Sequence, residues 1–333
     1  MKMKLRNALY LMLVLLPVIM NSQLDVQSVF HQTDSEGSQV YIDESDITNQ
    51  LSRDNNTSLY IDLGELGRVK FNVERYQILS PQFQSERPDI KLYRITTDDA
   101  LMKGSLMRTD SNIFISLQMD NIIMSIKKVD GKYKIEKGFD NNRNPQNTCS
   151  HDASLPIASD PILNESRIEF NNGAFRRTAR LALVCTGEYF QLSGNNSTDV
   201  QNSIVAEVMA LNDIYQRELG ISFELLPPFL YEDPSTDVFV PDDGMGDTRT
   251  QQAADAVAAN FAVDEYDIGH AIHISVADDG WGSGGLARLG AVCNDNPSNR
   301  PAKAQGWSGS FRAGNTFTLI FAHEVAHMFG ATH

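Results

Sequence analysis

The chain has 333 residues, with 43 carboxylates against 28 lysines and arginines and a formal net charge of −15. That balance argues against nucleic acid and against anionic membrane surfaces as partners. The length is enough for two domains with cores of their own.

At the N-terminus Lys2, Lys4 and Arg6 precede an apolar run from Ala8 to Met20. Charge and length are those of a secretory signal peptide, too short to span a bilayer comfortably. Ser22 is the best small residue for cleavage, although Met20 is not the small residue expected two positions before it. Residues 1–22 are therefore expected to be removed and the remainder secreted, with no membrane contact afterwards. An uncleaved anchor is the competing reading.

Residues 23–148 read as a β-rich domain. The runs 59–63, 69–73, 113–117 and 122–126 are short apolar strands with turn signals between them. Asp130-Gly131 falls between two strands like a hairpin turn. A polar stretch, Asp140 to Thr148, leads into an exposed linker over 149–176. Arg176-Arg177 is a dibasic pair at its end, but such pairs are common, and processing anywhere from 145 to 177 would suit a zymogen.

The second domain, 177–333, opens with a strand from Ala179 to Val184. Val200, Ile204, Val208, Leu211, Tyr215 and Leu219 then recur at helical steps, with Thr198 or Asp199 as cap and Gly220 as stop. Further elements follow: a strand from Ile221 to Leu226, an alanine-rich helix from Thr250 to Phe261, and a strand from His270 to Val276. This is an α/β order. His270 and His273 are read as packed or surface histidines rather than ligands. Asp242-Asp243-Gly244 and Asp278-Asp279-Gly280 could hold calcium, but ordinary turns explain them.

The chain ends on His323-Glu324-Val325-Ala326-His327-Met328-Phe329-Gly330-Ala331-Thr332-His333. This fits H-E-x-x-H-x-x-G-x-x-H at every fixed position. With this composition it should arise by chance in roughly one such chain in 40,000, so a helix end with incidental histidines is a poor explanation. On a helix, residues i and i+4 share a face, so His323 and His327 can meet one metal. Glu324 sits one step round, where a general base would take a proton from water polarised by that metal. Gly330 can take a positive φ and turn the chain, bringing His333 back as the third ligand. Three neutral imidazoles leave a fourth position open, the pattern of one catalytic zinc. The expected helix runs from Asn315 or Thr316 into the motif.

The motif is that of the metzincin metalloproteases, and the surrounding segments resemble the reprolysin (adamalysin)-like branch found in bacterial secreted peptidases. Residues 180–189 resemble the first strand of that catalytic domain, 266–270 the segment before its third strand, and 284–293 the edge strand along its substrate cleft. The resemblance implies an α/β (α+β) zincin catalytic domain, present as its N-terminal half. A methionine-bearing turn and a closing helix are expected beyond His333, so the chain is expected to be a fragment with little activity of its own. It also implies a secreted zinc endopeptidase precursor acting on protein or peptide substrates, with 23–148 as a masking propeptide. Leu286, Ala287, Arg288 and Leu289 would pair with an extended peptide through the backbone. Cys185 and Cys293 resemble paired segments of the family and are expected to form a disulfide. Cys149 is then left over. It could cap the zinc as a cysteine switch, although its flanking residues do not match those of related families, and an incidental thiol or one paired to another chain is the rival. Other readings are a matrixin-like or astacin-like enzyme, and a non-enzymatic secreted binding protein with a relict zinc site.

Overall fold

In the computed structural model of the protein, the described residues are 38–40, 42–52, 58–63, 67–119, 122–129, 131–137, 148–151, 176–239, 247–275, 283–295, 301–311 and 315–332. The signal-peptide segment, both acidic turns and His333 lie outside them.

The first half forms one antiparallel sheet. Its elements are β1 (Ser38–Val40), α1 (Glu44–Leu51), β2 (Ser58–Asp62), β3 (Arg68–Arg75), α2 (Pro81–Glu86), β4 (Lys91–Thr96), β5 (Met102–Arg108), β6 (Ile113–Met119), β7 (Ile122–Val129) and β8 (Lys132–Lys137). The order is β1-β8-β7-β6-β5-β4-β3-β2. From β2 to β8 each strand pairs with its successor, which short turns permit. Val129 pairs with Lys132, so the β7–β8 turn is two residues long, and its second residue, Gly131, has φ 75° as such turns require. Alternation assigns the two faces. Tyr93, Ile95, Leu106, Ile115 and Leu117 join Ile47 of α1 in one core. Leu92 and Met107 point the other way, into the core of the second half.

The second half is a mixed sheet with helices on both faces. Its elements are β9 (Thr148–His151), β10 (Arg177–Cys185), α3 (Gly187–Leu192), α4 (Ser197–Glu218), β11 (Ile221–Leu225), β12 (Phe229–Leu230), α5 (Asp247–Asn260), β13 (Ile268–Ile274), β14 (Gly284–Ala287), β15 (Gly306–Ser310) and α6 (Asn315–Met328). The order is β11-β10-β13-β15-β14-β9, with β12 also beside β10. β10, β11, β13 and β15 run parallel. β14 is antiparallel to β15, and β9 is parallel to β14. Leu181, Leu183 and Cys185 of β10 face α4 and α6, whereas Ala182 and Val184 face Ala253, Ala254 and Val257 of α5. Burial on both faces is why this strand reads as an unbroken apolar run.

Four sequence expectations are corrected here. The α4 cap is Asn196, whose Oδ1 accepts from Asp199 N–H at 2.9 Å, because the chain enters extended at Asn196 after positive-φ turns at Gly194 and Asn195. β15 was not foreseen: Gly306-Trp307-Ser308-Gly309-Ser310 lacks β-branched residues, yet all five are buried. Its glycines are required by close packing, since a Cβ at Gly306 would lie 2.6 Å from His270 Nδ1 and 3.1 Å from Met328 Sδ. The strand expected through Val292 stops at Ala287. Finally, the Cys185–Cys293 disulfide is not formed; both thiols are free. Cys293 N–H donates to Asp267 O, and Asp267 N–H to Arg180 O, which places Cys293 near the start of β10. Cys185 is five residues further along that strand, about 16 Å away, beyond the span of a disulfide.

Candidate active site

α6 is apolar over most of its surface and crosses the floor of the second half. Phe317, Phe321, Val325 and Met328 are fully buried in the core shared with α4. Tyr215 of α4 donates from its hydroxyl to Ala322 O at 2.7 Å, one residue before the first motif histidine. Thr318 donates to the Glu207 carboxylate. These bonds fix the rotation of α6 about its axis, and with it the direction of the motif side chains.

His323 and His327 point to one place. Their Nε2 atoms are 3.0 Å apart and their rings meet edge to face, with centroids 4.6 Å apart. His327 is 2% exposed and its Nδ1–H donates to Ala331 O at 2.7 Å. That bond fixes the tautomer and leaves the Nε2 lone pair as the ligating atom, the usual outer-shell device of metal-binding histidines. His323 is exposed, so the pair lies at the mouth of the site. Glu324 is 1% exposed and lies against β14: a Cβ on Gly285 would come within 2.3 Å of Glu324 Cγ and 2.7 Å of its Cδ. Gly285 therefore leaves the space that the acid occupies.

The helix ends as Gly330 requires. Gly330 has φ 97°, its N–H donates to His327 O at 2.8 Å, and Ala331 N–H donates to Ala326 O at 3.0 Å. This pair of bonds is a Schellman stop. The segment after β14 completes it. Gly290 N–H donates to His327 O and Val292 N–H to Met328 O. Of the four expected substrate-strand residues, Leu286 and Ala287 lie in β14, Arg288 follows with its N–H still donating to Gln305 O at 2.9 Å, and Leu289 begins the capping turn. Nothing in the sequence marked the turn as a helix cap except Gly290, which has φ 64°.

The edge of β14 is occupied. Gly284, Gly285, Leu286 and Ala287 pair in parallel with Thr148, Cys149, Ser150 and His151. The register sets the Cys149 backbone opposite Gly285, the residue that touches Glu324. A cysteine read as part of an open linker therefore lies on a strand at the site.

His270 and His273 are not ligands. Both are fully buried on β13. His270 Nε2 lies 2.8 Å from Ser308 Oγ, and burial pushes its imidazole pKa down to about 3, so it stays neutral. His273 Nδ1 lies 2.8 Å from Thr186 Oγ1. Among the described residues no three metal-binding side chains come together. The converging pair on α6, with the tautomer of His327 set by Ala331, fits two positions of a zinc site, and His333 is three residues past the Gly330 turn.

Comparison with known proteins agrees with this geometry. Residues 175–333 match the profile of the Metallo-peptidase family M12B Reprolysin-like. No curated protein sequence matches the chain. Among solved structures, the crystal structure of metalloproteinase-II from Bacteroides fragilis aligns with a TM-score of 0.52 at 12% identity, covering 88% of this chain and 86% of that one. That likeness is one of fold, and it spans both halves of the chain. Residues 175–333 thus form a reprolysin-like metallopeptidase domain of family M12B, a metzincin built on the zincin fold.

Proposed function

We propose that the protein is the secreted precursor of a zinc-dependent endopeptidase in which His323, His327 and His333 hold one zinc and Glu324 is the general base. The observation that carries this reading is the convergence of His323 and His327 Nε2 beside the buried Glu324 carboxylate. Zinc held there would supply Lewis-acid chemistry, polarising a peptide carbonyl and acidifying the attacking water. Glu324 would take the proton of that water and return it to the amide nitrogen as the C–N bond breaks. The backbone of β14 holds the extended substrate through strand pairing, so affinity depends little on side chains. His327 keeps its ring orientation through Ala331.

The precursor is latent in this reading. β9 takes the β14 edge that a substrate would use, and a Cys149 thiolate would be a zinc-ligating group on that strand. The parallel pairing of Cys149 with Gly285 supports it. The secretory route rests on the N-terminal charge and apolar run of the sequence alone.

The test is done in the full-length gene product. Glu324→Gln should retain zinc by dialysis but lose casein hydrolysis by about 10²–10⁴-fold, and His327→Ala should lose both. Near-normal turnover in Glu324→Gln would end the mechanism. Cys149→Ala should give activity before processing; a silent variant would leave masking to the strand and the N-terminal domain.

A further inference from the structure

The N-terminal sheet does not stand apart from the peptidase domain. Ile78, Leu79, Phe83, Ile90, Leu92 and Met107 are each at most 3% exposed, and they share one core with Val200, Ile204 and Val208 of α4. Their burial is supplied by the peptidase half. The backbone joins as well. Ser80 N–H donates to Leu225 O at 2.9 Å and Leu225 N–H to Ile78 O at 2.7 Å, with Leu79 bridging Leu225 in parallel. Residues 78–80 therefore continue the peptidase sheet beyond β11 and cover its edge.

Polar contacts surround this apolar centre. Arg87 donates to Gln201 Oε1 at 2.9 Å and Asn202 Oδ1 at 2.7 Å, and reaches Thr198 O at 3.4 Å. Asp89 holds its charge from the other side. Ser105 Oγ donates to Asp213 Oδ1 at 2.5 Å, and Arg94 donates to Gln216. A buried apolar centre with polar contacts around it is the anatomy of a durable interface.

We propose that the N-terminal domain is a permanent partner of the peptidase domain. When the chain is cut between His151 and Arg176, the two pieces stay together as a 1:1 complex through α4 and the β11 edge. None of the contacts above involves residues 152–175, so a cut there removes only the tether and its effective concentration. Departure of the N-terminal domain would bare an apolar stripe on α4 and an unpaired strand edge, both of which folded proteins keep covered. The matured enzyme is then a two-chain particle, and clearing the cleft requires β9 to leave β14 while the rest of the N-terminal domain stays docked. The inference does not depend on the peptidase chemistry, because its readout is mass rather than turnover.

The experiment places a site-specific protease sequence between Ser159 and Asp160 of the full-length precursor and cuts it to completion. Native material at about 1 μM, where a complex with a submicromolar Kd survives, is then passed through size exclusion with light scattering. A single particle holding both fragments at the mass of the uncut chain is expected. Separate particles, or an aggregated peptidase fragment without its partner, would overturn the proposal. Leu79→Asp should separate the cut fragments. Should it not fold, Arg87→Ala tests the same surface and should raise the dissociation constant about 10- to 100-fold on dilution. An unchanged constant in Arg87→Ala would remove α4 as the site of retention.

Discussion

The two sheets of this molecule are packed by different means, the first half-buried along strands such as β3 and β5 and the second buried on both faces in β13 and β15. In the N-terminal sheet, strands from β2 to β8 pair in chain order, so register is set by turns and by alternation along each strand. In the peptidase sheet, β11, β10, β13 and β15 pair in parallel across long connections, and helices press on both faces. There the side chains must leave room for whole elements. Small residues accordingly sit where elements meet: Gly285 against Glu324, Gly306 against His270 and Met328, Gly269 against Val257 and Ala304. The first sheet is specified by its pattern and the second by its close approaches. Glu324, the proposed general base, lies at one of those approaches.

The sharpest way to break this contrast is Gly285→Ala. The added Cβ would overlap Glu324 Cγ at 2.3 Å and lie 2.7 Å from the Trp307 backbone oxygen, so the acid or β14 must move. Overpacking of this kind costs about 1–3 kcal/mol, and displacing the base should cut kcat about 10²-fold or more. Stability by denaturant melt and kcat on one peptide check it. Unchanged kcat would show that the acid does not need its place against β14.

Gly104→Ala is the matched change in the other sheet. Its Cβ would meet the Ser116 backbone oxygen at 1.9 Å, so β5 and β6 must shift. A loss of about 1–3 kcal/mol is expected, with kcat of the remaining folded enzyme within about twofold of the parent. A kcat drop as large as that of Gly285→Ala would mean that the two sheets do not act separately.

The smallest effect probes the seam between them. Burial on α4 raises the carboxyl pKa of Asp213 to about 7, opposed by Ser105, Arg94, Ser116 and Arg217; Tyr76 is its other titratable neighbour. The folded state holds this proton more tightly than the unfolded chain, whose ordinary value is 3.8. Its contribution is therefore full below about pH 4 and is lost as pH rises through about 7. Asp213→Asn keeps the acceptor for Ser105 and removes the ionisation. Its Tm relative to the parent should rise between pH 5 and pH 8 by a few degrees. A difference that stays flat would mean that Asp213 ionises freely in the folded protein.

The parts that were legible in the sequence are those governed by local pattern. The α4 stripe, the β10 run and the hairpin ending in Gly131 each carry their own signal, and the observed elements fall within a few residues of the expected ones. β15 was illegible because two glycines and two serines surround its one strand-favouring residue, Trp307. It forms between β13 and β14, where Gly306 leaves room for His270 and Met328 and Trp307 enters the core beside α5. The resemblance of 284–293 to an edge strand carries the strand too far, because the open carbonyls at the end of α6 draw Gly290 and Val292 away. The disulfide failed for want of distance, since sequence gives no measure of where along β10 Cys293 comes to rest.

The sequence alone determined the motif and its local geometry: the spacing of His323, Glu324, His327 and Gly330 dictates a helix face and a turn, and helical periodicity needs no partner to be read. Only the tertiary structure decided what surrounds that face. The pairing of β9 with β14 and the shared core beneath α4 join residues more than a hundred positions apart, and the seating of Glu324 against Gly285 joins two separate elements. Such contacts are settled by which surfaces exclude water and which backbone groups find partners, and neither can be read before the chain has folded.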